Sequence, residues 1–134
     1  MSGLVLKLNP RERVLVNGAV IENGDRRSKL SIITPNANIL RLRDAIRPDQ
    51  ANTPVRRVCY IAQLVLSGDV SPEDAEYQMR QGIDQLSQAL LDPESHAHLG
   101  AARAALNNGD FYRALKALRA ILPTEDQLIK RHGT

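Results

Sequence analysis

Arginines set beside sharp turns are the residues of this 134-residue chain best placed to do chemistry. Asn17-Gly18 and Asn23-Gly24-Asp25 are turn signals, and Arg26 and Arg27 follow the second directly. A protruding loop of that kind presents two planar guanidinium forks, which suit bidentate capture of a phosphate or a carboxylate. The same residues are equally well explained as two hairpin turns carrying solvated arginines. A second stretch, Ile46 to Arg57, holds Pro48-Asp49-Gln50 and Thr53-Pro54 ahead of Arg56 and Arg57. Structurally it reads as a linker and a helix start, with Thr53 as cap and Pro54 at the first helical position. Functionally, Arg56 and Arg57 would extend a basic surface begun by Arg41 and Arg43. The candidate anion contacts are therefore Asn17, Asn23, Arg26, Arg27, Arg41, Arg43, Arg56 and Arg57. Arginines would grip phosphate or carboxylate, and the asparagines or the turn backbone would add hydrogen bonds.

Other chemistries find little support. His96 and His98 are two apart on an expected helix, so they face different ways and do not chelate one metal together. Solvated histidines are the simpler reading, and no metal or cofactor is expected. Glu73, Asp74 and Glu76 cluster at a helix start, where the dipole accounts for them. Cys59 lies in an apolar stripe and reads as a buried, inert thiol. Phosphate-loop, dinucleotide and nucleophile-elbow patterns are absent from the sequence, so no enzyme is expected.

Charge is distributed unevenly. Residues 1–57 hold 11 Lys+Arg against 5 Asp+Glu, a net of +6, whereas residues 58–134 hold 7 against 10, a net of −3. A basic front half permits a polyanion-binding face. Tyr60, Tyr77, Phe111 and Tyr112 are the aromatic residues, which counts against base stacking as a main binding mode. A single cysteine, no secretory pattern at the start and no long apolar run point to a cytoplasmic protein without a membrane segment.

The elements that must position these residues change character along the chain. Leu4–Leu8, Val14–Val16, Ala19–Ile21, Leu30–Ile33 and Asn38–Arg43 read as about five short strands in a small antiparallel sheet. The last would place Arg41 and Arg43 on one face, opposite Leu40 and Leu42. So thin a sheet must pack on helices or on a second copy, the latter making a homodimer. Residues 46–54 form a polar connector with two prolines. Beyond it the apolar period becomes helical: Val55, Val58, Cys59, Ala62, Val65 and Leu66 share one face, then Ala75, Met79, Ile83, Leu86 and Leu90. Ser71-Pro72, Asp92-Pro93 and Asp110 are helix starts. A fourth stripe runs through Phe111, Leu115, Leu118 and Leu122 until Pro123-Thr124 breaks it, with a short terminal helix near 125–131. The helical hairpin at Asn107–Asp110 resembles one tetratricopeptide unit, but a repeat array needs further copies that are not in the sequence. The expected fold class is α+β: a basic β-rich part at 1–45, a connector at 46–54, and an antiparallel bundle of about four helices at 55–134, packed as one unit.

Three segments taken in order carry a family resemblance: VLVNGAVIENGDRRSKL, RPDQANTPVRRVCY and GDFYRALKALRAIL. Their distinctive residues are Gly18, Gly24 and Asp25 in the first, and Pro48, Asp49, Gln50 and Pro54 in the second. The chain thereby resembles the FlbT family of flagellum biosynthesis regulators across nearly its whole length. The resemblance implies a bacterial post-transcriptional regulator acting on the 5′ untranslated region of flagellin mRNA, lowering translation or transcript lifetime, although some relatives promote flagellar expression. On that reading the eight anion contacts named above are the candidate RNA contacts, arginines on phosphate and asparagines or turn backbone on bases exposed in a single-stranded loop. It also implies a working partner, the small protein FlaF, which acts on flagellin. A different reading is a protein-binding adaptor whose helical half docks flagellin or FlaF, with Phe111, Tyr112 and Leu115 as candidate contacts. A structural piece of the flagellum is the weakest of the three.

Overall fold

The computed structural model describes residues 4–35 and 37–132. Strands β1 (Leu4–Leu8), β2 (Arg13–Val16), β3 (Ala19–Glu22), β4 (Ser28–Ile32) and β5 (Ile39–Arg41) open the chain. They divide between two small antiparallel sheets, β1 with β4, and β2 between β3 and β5. Asn17 and Gly18, at φ 47° and 86°, form the two-residue turn between β2 and β3. That turn requires positive φ twice, which explains the residue pair. The second turn is held by a side chain: Asn23 Nδ2 donates to the carbonyls of Asn9 and Arg26 at 2.8 and 2.9 Å. Its Oδ1 accepts from Ser28 Oγ at 2.7 Å.

β5 is shorter than the alternating pattern suggests. After Arg41 the chain tightens into a 3-10 turn, Leu42–Asp44. Arg119 Nη1 donates to the Asp44 carbonyl at 2.8 Å, so a distant helix draws the chain out of the sheet. Arg43 therefore stands on this turn instead of on a strand face shared with Arg41.

Five helices follow: α1 (Pro54–Leu66), α2 (Pro72–Ala89), α3 (Pro93–Asn107), α4 (Phe111–Arg119) and α5 (Leu122–His132). The first four carry the expected caps. Thr53, Ser71, Asp92 and Asp110 accept from Arg56, Asp74, Ser95 and Arg113 backbone N–H groups at 3.2, 3.3, 2.9 and 3.0 Å. Each bond satisfies a donor that has no intrahelical partner. Pro123, expected to break α4, instead sits in the first turn of α5, where its missing N–H costs no helical bond. Leu122 opens α5, and the α4 stripe ends at Leu118.

The stripes of α1 and α2 are buried throughout, as their periodicity requires. With Leu99, Leu106, Phe111, Leu115 and Leu118 they make one core, which Leu40 and Ile46 join from the front half. Leu6, Leu8, Val14 and Ile39 make a second, smaller core under the strands. Tyr112 packs against both. The approach of α1 to α2 depends on Gly82, where an added Cβ would lie 2.5 Å from Val58 Cγ2.

The segment 46–54 is pinned at both ends. Gln63, buried on α1, accepts from Ile46 N at 2.7 Å and donates to Ile46 O at 2.8 Å. Glu125 of α5, also buried, accepts from Thr53 Oγ1 at 2.6 Å and from Val55 N at 2.9 Å. A carboxylate from the far end of the chain thus completes the N-terminus of α1, where the helix dipole favours negative charge.

Candidate functional site

An ion pair organises the basic half. Arg41 Nε donates to Glu12 Oε2 at 2.7 Å, and its Nη2 donates to Glu12 Oε1 at 2.8 Å and to the Lys7 carbonyl at 2.6 Å. The two side chains are only 12% and 5% exposed. The Arg41 hydrogen bonds hold the Glu12 carboxyl down at about 2, with Asn9 N–H and Arg43 acting in the same direction and burial opposing. Arg41 belongs to β5, Glu12 precedes β2 and Lys7 lies on β1, so one guanidinium ties the two sheets together.

The clamp borders an open basic cleft. In the β1–β4 register Lys7 stands directly opposite Lys29, on the exposed face that alternates with buried Leu6 and Leu8. Like charges opposed across an antiparallel pair repel. Among the described residues neither ammonium has a carboxylate partner. These lysines, Arg27 and Arg43 line a cleft of about 420 Å³ whose lining includes no carboxylate residue. Arg43 is 49% exposed, and its Nε stays 3.6 Å from Glu12 Oε2 and 3.8 Å from Asp44 Oδ1, near both but outside close hydrogen-bonding distance. It also lines two further clefts, one toward α4 and one toward the 46–54 segment.

The eight sequence candidates separate by what their side chains already hold. Arg41 is engaged by Glu12, and Asn23 by the turn it anchors. Asn17 Oδ1 accepts from Asn38 N at 2.9 Å, which joins the first turn to the start of β5. Arg56 reaches Asp126 through both terminal nitrogens, at 2.9 and 3.3 Å. Arg27 and Arg43 line the basic cleft. Arg26 and Arg57 are exposed, and neither lines it. The motif residues serve the backbone: Gly18 the first turn, Pro48-Asp49-Gln50 a 3-10 turn, Pro54 the start of α1. Asp25, beside Gly24, pairs with Arg11 at 2.6 Å.

Sequence reasoning missed Lys7 and Lys29. A faint signal existed, since each occupies a polar position alternating with Leu in a short strand. Their meeting depends on β1 pairing with β4 across two intervening strands, which no local pattern announces.

Of the proposed docking residues, Phe111 and Leu115 are each 5% exposed and belong to the core. Tyr112 differs. It forms a wall of the cleft toward α4, with Arg43, Asp44, Leu115, Lys116 and Arg119 around it. Burial pushes its phenol up, against the opposing influence of Arg41. Cys59 is fully buried, and burial pushes its thiol up to about 12, in keeping with an inert thiol. His96 and His98 lie on α3, the first exposed and the second half-buried. Among the described residues no group of three His, Cys, Asp or Glu could hold a metal ion, and no helix is long and apolar enough to cross a membrane.

Comparison with known proteins identifies the family. The family described as flagellar protein FlbT matches residues 4–129. A probable flagellum biosynthesis repressor protein FlbT 1 from Bradyrhizobium diazoefficiens is 36% identical over 93% of this chain and 84% of its own length. A probable flagellum biosynthesis repressor protein FlbT from Allorhizobium ampelinum is 32% identical over 96% of this chain and 85% of its own. The flagellum biosynthesis repressor protein FlbT of Caulobacter vibrioides is 28% identical, covering 92% and 87% respectively. No solved structure matches the chain. With its family profile matched almost from end to end, the chain belongs to the FlbT family of flagellar proteins.

Proposed function

We infer that this protein represses flagellum biosynthesis in the cytoplasm by binding the 5′ untranslated region of flagellin mRNA and lowering its translation or lifetime. Its relatives' names supply the biological setting. The observation that carries the RNA reading is the cleft lined by Lys7, Arg27, Lys29 and Arg43, in which two lysines face each other without a carboxylate. Repulsion of that kind is relieved when phosphates enter and counterions leave, which is also the source of salt-dependent affinity. Arg41 supports the cleft through Lys7 and Glu12 and is not itself a free contact.

The test is a filter-binding titration of the purified protein with flagellin leader RNA across a range of salt concentrations. Four phosphate contacts predict a slope of log K on log salt of about −3. Lys7→Gln with Lys29→Gln removes two contacts and flattens that slope by about half, at any RNA sequence. Wild-type protein that shows no salt-sensitive binding to the leader overturns direct recognition.

A second reading draws on the exposed, acid-rich start of α2, where Glu73 and Asp74 accompany Tyr77, itself 67% exposed. Such a surface suits a protein partner better than a nucleic acid, and FlaF or flagellin would be its occupant. Adding FlaF separates the two readings. RNA bound only in its presence favours the adaptor, and RNA bound equally in its absence favours direct contact.

A further inference from the structure

The aromatic poverty of the sequence argues against base stacking, yet the fold brings one of the four aromatic rings to the cationic surface. Tyr112, on the first turn of α4, stands between the strand core and the helical core and walls a cleft of about 200 Å³ toward Arg43 and Lys116. Arg41 and Arg43 line both this cleft and the Lys7–Lys29 cleft, so the two are adjacent along one surface. One part offers cations without carboxylates. The next offers a half-buried aromatic ring flanked by cations, by the apolar sides of Ile39, Leu40 and Leu115, and by one carboxylate, Asp44, which Arg119 pairs at 3.5 Å. Cations followed by an aromatic wall are what an unpaired nucleotide requires, since its phosphate seeks charge and its base seeks a flat apolar partner.

We propose that Tyr112 is the base-contacting residue of this surface: phosphates lie over Lys7, Lys29 and Arg43, and one unpaired base enters the cleft beside Arg43 and Lys116 and stacks on the Tyr112 ring. The proposal rests on the RNA reading above and narrows its ligand to single-stranded RNA. A base inside a duplex already has both faces stacked and cannot present one to a ring on the protein. The surface therefore discriminates by strandedness, through one ring and not through the number of its cations.

The experiment compares a labelled single-stranded leader oligonucleotide with the same oligonucleotide annealed to its complement, on wild type, Tyr112→Leu and Tyr112→Phe. Wild type is expected to prefer the single strand. Tyr112→Leu should weaken single-strand binding by about 5- to 150-fold, the loss associated with one stacked base, while leaving the salt slope unchanged. Tyr112→Phe, which keeps the ring, should bind as wild type does. Because Tyr112 also packs on both cores, a second readout guards against an unfolded leucine variant. Tyrosine emission of the wild type less that of Tyr112→Phe isolates this ring, and it should be quenched by the single strand. Absence of quenching, equal binding of duplex, or a folded Tyr112→Leu variant that binds like wild type would each overturn the stacking role while leaving salt-dependent RNA binding intact. Wild type that binds neither RNA overturns the RNA reading itself.

Discussion

Replacing Glu12 by Gln tests whether a buried ion pair holds the basic half together. The substitution preserves the shape of the side chain and removes its charge, leaving Arg41, 12% exposed, without its counterion. The hydrogen bonds from Arg41 lower the Glu12 carboxyl from an ordinary 4.5 to about 2. At about 1.4 kcal/mol per pKa unit, that drop corresponds to about 3 kcal/mol of stability. The size agrees with the ~3–5 kcal/mol typical of removing one partner from a buried pair. The sign follows from the direction of the shift. A carboxyl lowered in the folded state stabilises fully above its unfolded value, and the contribution is lost as pH falls from 4.5 toward 2.

Urea unfolding of wild type and Glu12→Gln, followed from neutral pH into this acid window, reads the effect directly. The two proteins should differ by about 3 kcal/mol at neutral pH and converge as pH approaches 2. Glu22, lowered chiefly by its hydrogen bond from Arg13, and Asp92, lowered chiefly by the Ser95 N–H, titrate in both proteins and cancel in the difference. Parallel stability curves, offset by a constant at every pH, would refute the assignment of this pair as the clamp between the sheets. A joint Glu12→Met and Arg41→Met replacement should recover much of the loss, because neither side chain then leaves a buried charge unpaired.

Three other perturbations probe the helical half. Gly82→Ala would gain up to about 1 kcal/mol by helix propensity alone, but the new Cβ meets the buried, β-branched Val58. Overpacking of about 1–3 kcal/mol should make the variant less stable than wild type in thermal unfolding; a higher midpoint would mean that α1 and α2 separate freely. Gln63→Leu strands both backbone groups of Ile46 and should cost about 2 kcal/mol, with amide exchange at Ile46 accelerated beyond the global opening rate. Cys59, buried with its thiol raised to about 12, should resist a thiol reagent in native protein and react once urea unfolds the chain. Native labelling at the rate of a free thiol would contradict that burial.

The helices were legible because their signals are local. Apolar residues three and four apart declare the buried faces of α1 and α2, and Thr53, Ser71, Asp92 and Asp110 each bond an N–H three residues onward. The first hairpin was legible for the same reason, since Asn17-Gly18 alone dictates its turn. Alternation marked the remaining strands but not their partners. Assignment of β1 to β4 and of β2 to β5 is a matter of long-range pairing, and it divides the five strands into two sheets.

The functional surface falls on the side that sequence alone does not decide. An arginine is free or engaged according to which carboxylate the fold delivers to it, and those carboxylates come from far along the chain. Glu12 is 29 residues from Arg41, and Asp126 is 70 from Arg56. Lys7 and Lys29 become one charge cluster only through the β1–β4 register. Tyr112 becomes part of the cationic surface only because its side chain packs against the strand core. Composition and order along the chain determined the basic front, the helical back and the membership of the FlbT family. Tertiary structure decided which of those cations face solvent together, because ion pairing and strand pairing act through space and leave no trace in neighbouring residues.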